Sequence, residues 1–320
     1  MKLPHPFILL ALAALAVPVA HAQGYPNKPI RLIVPFTPGG GVDINARLVG
    51  PKLTEYLGQP VIIESRPGAG TNIGNEYVAK SAPDGYTLLI NSGPMAINMS
   101  LYKKLNYDTL RDFVSISLFS ESPNVLVVHP SLPVRNAKEL VALAKSKRGE
   151  MNFSSSGSGT TQHLSGELFN VKTGTKMVHV PFRGTAPSLT AVVGGEVMIT
   201  FANIPAISAF VKAGRLRSLA TTSLKRTTLM PEVPTLKESG IDVEVTVRYG
   251  IYAPIATPKD VVNTLAGAIA KAARSPDTRQ RLLDLGAEPV GNTPEEFGKI
   301  MQEEVARWAE VVRVSGARAD

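Results

Sequence analysis

Cysteine is absent from all 320 residues. That absence excludes thiol catalysis, iron–sulfur clusters, zinc ribbons and a disulfide framework together. Aromatic residues are sparse, 6% with a single Trp, so a stacked sugar platform or a quaternary-ammonium cage has too few rings to build on. Histidine is scarce as well. Past residue 22 only His129, His163 and His179 remain, none at i,i+4 spacing, and no carboxylate run resembles a calcium loop. No metal and no cofactor is expected. Long apolar runs are missing except one, Met1–Ala22.

That one run reads as an export signal. Lys2 supplies a positive start, Phe7–Val19 an apolar centre, and Ala20-His21-Ala22 a small-x-small cleavage site. Pro18 and His21 cut it short of the roughly 20 apolar residues a membrane span needs. A cleavable signal peptide over residues 1–22 is therefore expected, with Gln23 as the mature N-terminus and a soluble, periplasmic, monomeric product. Basic residues outnumber acidic ones, 34 to 26. They are scattered rather than interleaved with aromatics, so nucleic acid is not the expected partner, and an acidic membrane surface or an anionic small ligand remains.

Beyond the signal, short β-branched strands alternate with amphipathic helical stretches, the pattern of a parallel α/β fold. The spacing predicts strands at Ile30–Pro35, Val61–Glu64, Thr87–Asn91, Asn124–His129, Asn152–Ser155, Val178–Phe182, Val197–Phe201 and Arg217–Thr222. A further strand at Val243–Ala253 precedes three helices, two of them opening on Thr257-Pro258 and Thr293-Pro294. Pro51 sits inside the first helix and is expected to kink it. The apolar face of the last helix carries Trp308, which therefore belongs in a core.

Two places look built for an anion. Pro38-Gly39-Gly40-Gly41 puts consecutive backbone N–H groups at a helix start, where partial positive charge gathers. No Gly-Lys-Ser/Thr follows, and the G-x-G-x-x-G spacing fails, so this is neither a Walker loop nor a dinucleotide fingerprint. Asp43, near the start of that helix, is placed to pair with Arg47 four residues on. The second place is Ser154–Thr161, a hydroxyl-rich loop before another helix. It fails the G-x-S-x-G nucleophile pattern, because Ser156 stands where the first Gly should be. His163 lies five residues past Ser158, so no Ser–His pair is implied there. An exported hydrolase stays open only as a rival to a binding protein. The echo of Val34-Pro35-Phe36 in Val180-Pro181-Phe182 places a strand–glycine–helix corner on each of two lobes. In open α/β sheets ligands collect at such strand ends.

In order and spacing, these motifs resemble the Bug (TctC-type) extracytoplasmic solute-binding receptors of tripartite tricarboxylate transport systems. The matching residues begin with Ile33-Val34-Pro35-Phe36-x-Pro38-Gly39-Gly40-x-x-Asp43-x-x-Ala46-Arg47, then Arg66-Pro67-Gly68-Ala69-Gly70 and Pro83-Asp84-Gly85-Tyr86-Thr87-Leu88. They continue through Ser155-Ser156-Gly157-x-Gly159-Thr160, His163-Leu164, His179-Val180-Pro181-Phe182-x-Gly184, Ala213-Gly214-x-Leu216-Arg217 and Pro231-x-Val233-Pro234-Thr235. The resemblance covers essentially the whole chain past the signal.

It implies a periplasmic-binding-protein-like fold: two α/β domains joined by a two-strand hinge, closing on a small carboxylate. Domain one would comprise residues 23–124 and 246–320, and domain two residues 125–245. The hinge strands would lie near Asn124–His129 and Val243–Arg248. The implied ligand-binding residues in domain one are Phe36, Gly39, Gly40, Gly41, Asp43 and Ser92. Those in domain two are Ser156, Ser158, Gly159, Thr160, Phe182 and Asn203, with Arg248 beside the hinge. The implied role is delivery of a di-/tricarboxylate or aromatic acid to membrane transporter subunits, or its presentation to a sensor kinase, without catalysis. Two positions depart from the family pattern. Ala202 stands where members commonly carry Asp, and Arg248 where they often carry Trp. Both changes favour a ligand with more negative charge or no amine; Arg248 is read either as a surface arginine whose stem covers apolar neighbours or as a fork onto a second ligand carboxylate.

Overall fold

A computed structural model describes residues 24–319, and the expected signal peptide with Gln23 lies outside them. The first lobe opens with β1 (Ile30–Val34), α1 (Gly41–Leu57), β2 (Val61–Ser65), α2 (Asn72–Ala79), β3 (Thr87–Asn91), α3 (Pro94–Leu101) and α4 (Thr109–Asp112). A long strand, β4 (Phe113–Val128), leads into α5 (Ala137–Ser146), β5 (Asn152–Ser155), α6 (Thr161–Thr173), β6 (Val178–Pro181) and α7 (Thr185–Val193). Next come β7 (Ile199–Asn203), α8 (Ile204–Lys212) and β8 (Arg217–Thr221). The chain then returns through β9 (Thr246–Pro254) and ends with α9 (Lys259–Arg274), α10 (Pro276–Asp284), β10 (Glu288–Pro289) and α11 (Pro294–Ser315).

In the first lobe β2, β1 and β3 run parallel, while β9 joins β3 antiparallel and also pairs with β4. Residues Phe113–Pro123 of β4 belong to this sheet, whereas Asn124–Val128 pair with β7 and β8 of the second. The change of partner falls at Pro123, which has no N–H to continue a ladder. The return crossing lies between Val245, whose N–H donates to the Thr222 carbonyl (2.9 Å), and Thr246, which pairs with Pro123. Two chain crossings thus join two α/β lobes side by side. Each lobe has its own apolar cluster, one under α1 and α9 and one under α7 and α8. A third cluster, containing Phe153, Phe297 and Trp308, extends along the opposite faces of both.

Helix α11 belongs by its start to the first lobe yet packs on α3 and on α6 of the second. Its N-terminus is fixed by a reciprocal cap in which Thr293 and Glu296 bond each other's backbone. The expected twin cap at Thr257 is displaced: the Thr257 hydroxyl donates to the Pro254 carbonyl (2.7 Å), and α9 begins after Pro258 instead. Helix α1 runs continuously through Pro51. The first half of β4 is a strand the sequence pattern passes over.

Candidate ligand-binding site

Helix starts, rather than charged side chains, dominate the space between the lobes. An inner chamber of about 40 Å³ is lined by Gly40, Gly41 and Val42 where α1 begins, and by Ser92 just ahead of α3. Thr160, Thr161 and Gln162 contribute the start of α6, Thr185 that of α7, and Asn203 that of α8. Five helix N-termini therefore converge on one chamber. Of these, α1, α3, α7 and α8 start without a side-chain cap bond. Their first-turn amides are of the kind left without intrahelical partners, and their dipoles add. Among the described residues no Lys, Arg, His, Asp or Glu lines this chamber. At about 10–15 Å³ per water-sized group, it has room for roughly three, the bulk of a carboxylate head.

The α1 corner is held from behind. Gly39 has φ +89°, a backbone that favours glycine, and its N–H donates to Asp43 Oδ2 (3.0 Å). Arg47 Nε donates to the same oxygen (2.9 Å), giving the i,i+4 pair expected from the sequence. Asp43 is buried and braces the loop; neither it nor Gly39 lines the chamber. Gly41 leaves no space for a side chain, because an added Cβ would fall within 3.0 Å of Asn203 Nδ2 and the Tyr249 hydroxyl. Those two bond each other at 3.1 Å, and burial pushes the Tyr249 phenol up, so it stays a neutral hydroxyl.

The first-lobe wall is stiffened by a buried amide network. The Ser92 N–H donates to Asn91 Oδ1 (2.7 Å), and Asn91 Nδ2 to Asn75 Oδ1 (2.7 Å). Asn75 Nδ2 in turn reaches the Tyr107 hydroxyl (2.9 Å), which donates to Asn72 Oδ1 (2.7 Å). On the second lobe, the Ser154–Thr160 loop rests on two stacked imidazoles, His163 and His179, with ring centroids 3.8 Å apart. The Gly159 N–H donates to His163 Nδ1 (3.3 Å), and Ser155 Oγ lies 2.6 Å from His179 Nε2. Burial, with His163 alongside, pushes the His179 pKa down to about 3. Ser155 is fully buried, and neither it nor His179 lines a chamber, so this contact braces the loop instead of presenting a nucleophile.

A second, outer chamber of about 500 Å³ opens beyond the first. Phe36, Ser156 and Thr160 line both. Its remaining wall is formed by Pro35, Thr37 and the Pro67–Thr71 turn of the first lobe, with Gly157 and Phe182–Gly184 of the second. The lobes approach closely around the rim. A Cβ on Gly93 would fall within 3.0 Å of Thr161 Cγ2, and one on Gly184 within 3.0 Å of Thr37 Oγ1.

Of the thirteen residues expected in the site, Phe36, Gly40, Gly41, Ser92, Ser156, Thr160 and Asn203 line the inner chamber, and Phe182 lines the outer one. Ser158 and Gly159 shape the loop without facing either chamber, the Ser158 carbonyl lying against Gly70 and Gly159 against Asn98. Arg248 is a correction. Val247 and Tyr249 face the inner chamber, so pleat alternation turns Arg248 to the opposite side of β9. There it pairs with Glu304 (2.9 Å) and Glu121 (3.5 Å). Position 202 also points away: Ala202 is buried in the apolar cluster with Val125, so an acid there would not meet a ligand. Val42, Asn124, Thr161, Gln162, Thr185, Val247 and Tyr249 also line the inner chamber, beyond the residues expected from the sequence. The echoed corner at Gly184 signals Thr185, and the two crossing strands signal Asn124, Val247 and Tyr249.

Comparison with known proteins places this geometry among relatives. The family model described as the tripartite tricarboxylate transporter family receptor matches residues 45–316. Protein BugT of Bordetella pertussis is 38% identical over 314 residues, 97% of this chain and 96% of BugT. A Rhodopseudomonas palustris protein solved with adipate is 36% identical and superposes with a TM-score of 0.88, covering 92% of this chain and 99% of that one. MatC from the same organism, solved with malate, is 32% identical with a TM-score of 0.85, over 90% of this chain and 100% of MatC.

Proposed function

Because this chain belongs to the tripartite tricarboxylate transporter family of receptors, we propose that it is a periplasmic solute-binding protein for a small organic carboxylate. In this reading it acts as a monomer, carries its ligand to the membrane subunits of a tripartite transporter, and performs no chemistry on it. The observation that supports a carboxylate is the convergence of five helix N-termini on a chamber that, among the described residues, no charged side chain lines. Amide dipoles stabilise a negative head there without a counter-ion. Adipate and malate bound to structural relatives support the same class. Lobe boundaries at Asn124 and Val245 fit the partner switch of β4 and the return crossing. Export through a signal peptide cut before Gln23 completes the reading.

Calorimetry with a panel of mono-, di- and tricarboxylates tests it, alongside Gly40→Val. Gly40 has an extended backbone, and an added Cβ lies 3.6 Å from Thr185 Oγ1, so the fold accepts a side chain that nonetheless fills the chamber. The wild type should bind one or more acids and the variant none. Equal binding by both, or turnover of an ester and amide panel by the wild type, would overturn the reading.

A further inference from the structure

We infer that Arg183 selects elongated dicarboxylates by holding the second carboxylate at the outer rim. The inference rests on the carboxylate reading and specifies the ligand further. Among the described residues, Arg183 is the only charged side chain lining either chamber, and it takes part in no ion pair. Arg248, on the returning hinge strand, is by contrast neutralised by Glu304 and Glu121. A guanidinium without a partner at the mouth of a cleft offers a forked donor to a carboxylate arriving from within.

Its position sets it close to the inner chamber. Thr185 lines the inner chamber, and Arg183 lies two residues before it, a separation of at most about 7 Å along the backbone. Gly184, with φ +126° and no space for a Cβ against Thr37, pins this short segment to the first lobe at the rim. The largest members of the outer wall are Phe36 and Phe182, with Pro35 and Pro67 beside them and the hydroxyls of Thr37, Thr71, Ser156 and Thr160 among them. A ligand matching this surface has one carboxylate among the helix starts and an uncharged body of several carbons between the phenylalanines. Its second carboxylate reaches Arg183. A six-carbon chain or a ring between the two carboxylates lays its apolar body against that wall, where a four-carbon diacid offers only two methylenes.

The test compares adipate, hexanoate and succinate by calorimetry on the wild type, Arg183→Gln and Arg183→Lys. Hexanoate has the length of adipate with one carboxylate removed. The wild type should prefer adipate to both others by about tenfold, the scale of one charge-assisted bond. Arg183→Gln should lose that preference by weakening adipate alone, and Arg183→Lys should keep part of it. Arg183 is exposed and unpaired, so both variants should melt with the wild type. If the wild type binds hexanoate as well as adipate, or Arg183→Gln weakens both equally, the inference fails while the carboxylate reading stands. If neither these three nor any acid of the wider mono-, di- and tricarboxylate panel binds the wild type, both fail.

Discussion

Adding one methyl group at Gly93 should uncouple ligand affinity from stability. Gly93 has φ −43° and ψ −37°, a helical conformation open to any residue. Alanine there carries no backbone strain, and by restricting the unfolded chain it can stabilise by about 0.4–1 kcal/mol. The obstacle lies across the cleft. The new Cβ would fall within 3.0 Å of Thr161 Cγ2, with Ile97 Cδ1 at 3.2 Å on its own lobe. Ile97 is a flexible side-chain end that can shift a few tenths of an ångström. Thr161 begins α6, so relieving that contact means parting the lobes. Methyl groups rest about 3.5–4.0 Å apart, which requires at least about 0.5–1 Å of opening. Overpacking of this kind costs about 1–3 kcal/mol. Charged against the closed state alone, that cost weakens binding by about 5- to 150-fold. Calorimetry with whichever acid the wild type binds reads the affinity, and thermal melting without ligand reads stability. Gly93→Ala should lose affinity and keep or raise its melting temperature. Unchanged affinity would mean that the liganded lobes stand further apart at Gly93 and Thr161, and would refute the reasoning.

Two further outcomes follow from other contacts. Arg248→Gln should lower stability by about 1.5–3 kcal/mol, because Glu304 loses its shortest ion pair, while calorimetric affinity stays the same; a selective loss of affinity would return Arg248 to the ligand. For His179 the folded pKa, about 3, lies below the ordinary 6.5, so the unfolded chain binds the proton more readily. Its contribution is complete above pH 6.5 and drains away as pH falls toward 3, by up to about 1.4 kcal/mol per pH unit. Among the described residues, Ser155, Phe153 and His163 pack against it, with Glu167 behind His163 at 3.7 Å. Melting temperatures at pH 7.5 and 5.5 should therefore converge in His179→Gln relative to the wild type, and parallel losses in both would exclude the imidazole as the cause.

The glycine corner was legible because its chemistry is local. A strand, three glycines and an amphipathic helix adjoin in sequence, and the amides they expose need no distant partner. The first half of β4 was not, since Ser115, Ser117, Ser120 and Ser122 make it look polar. Two of those serines are buried with partners far along the chain: Ser117 Oγ donates to the Asn292 carbonyl (2.7 Å) and Ser120 Oγ to Asn45 Oδ1 (2.6 Å). Period-two alternation around Arg248 was also visible. What alternation cannot supply is which face of a crossing strand looks into the cleft, and that is fixed by α11 covering the other one. Arg183 escaped notice because a lone arginine in a turn has no pattern, and its role comes from the cavity beside it.

The way α11 straddles the lobes turns the lone tryptophan into a built-in optical gauge. Trp308 Nε1 donates to Glu304 (2.9 Å), the same carboxylate that grips Arg248 on the returning hinge strand, and the Arg307 guanidinium sits 5.5 Å from the indole ring. Arg307 also donates to the Glu244 carbonyl, just before the crossing. A lobe rotation that moves the Glu244 segment pulls on Arg307 and so shifts charge beside the indole. With no second tryptophan in the chain, a change in indole emission has a single source. Ligand capture can then be timed in the unlabelled protein, at a position remote from the cleft and untouched by the ligand itself.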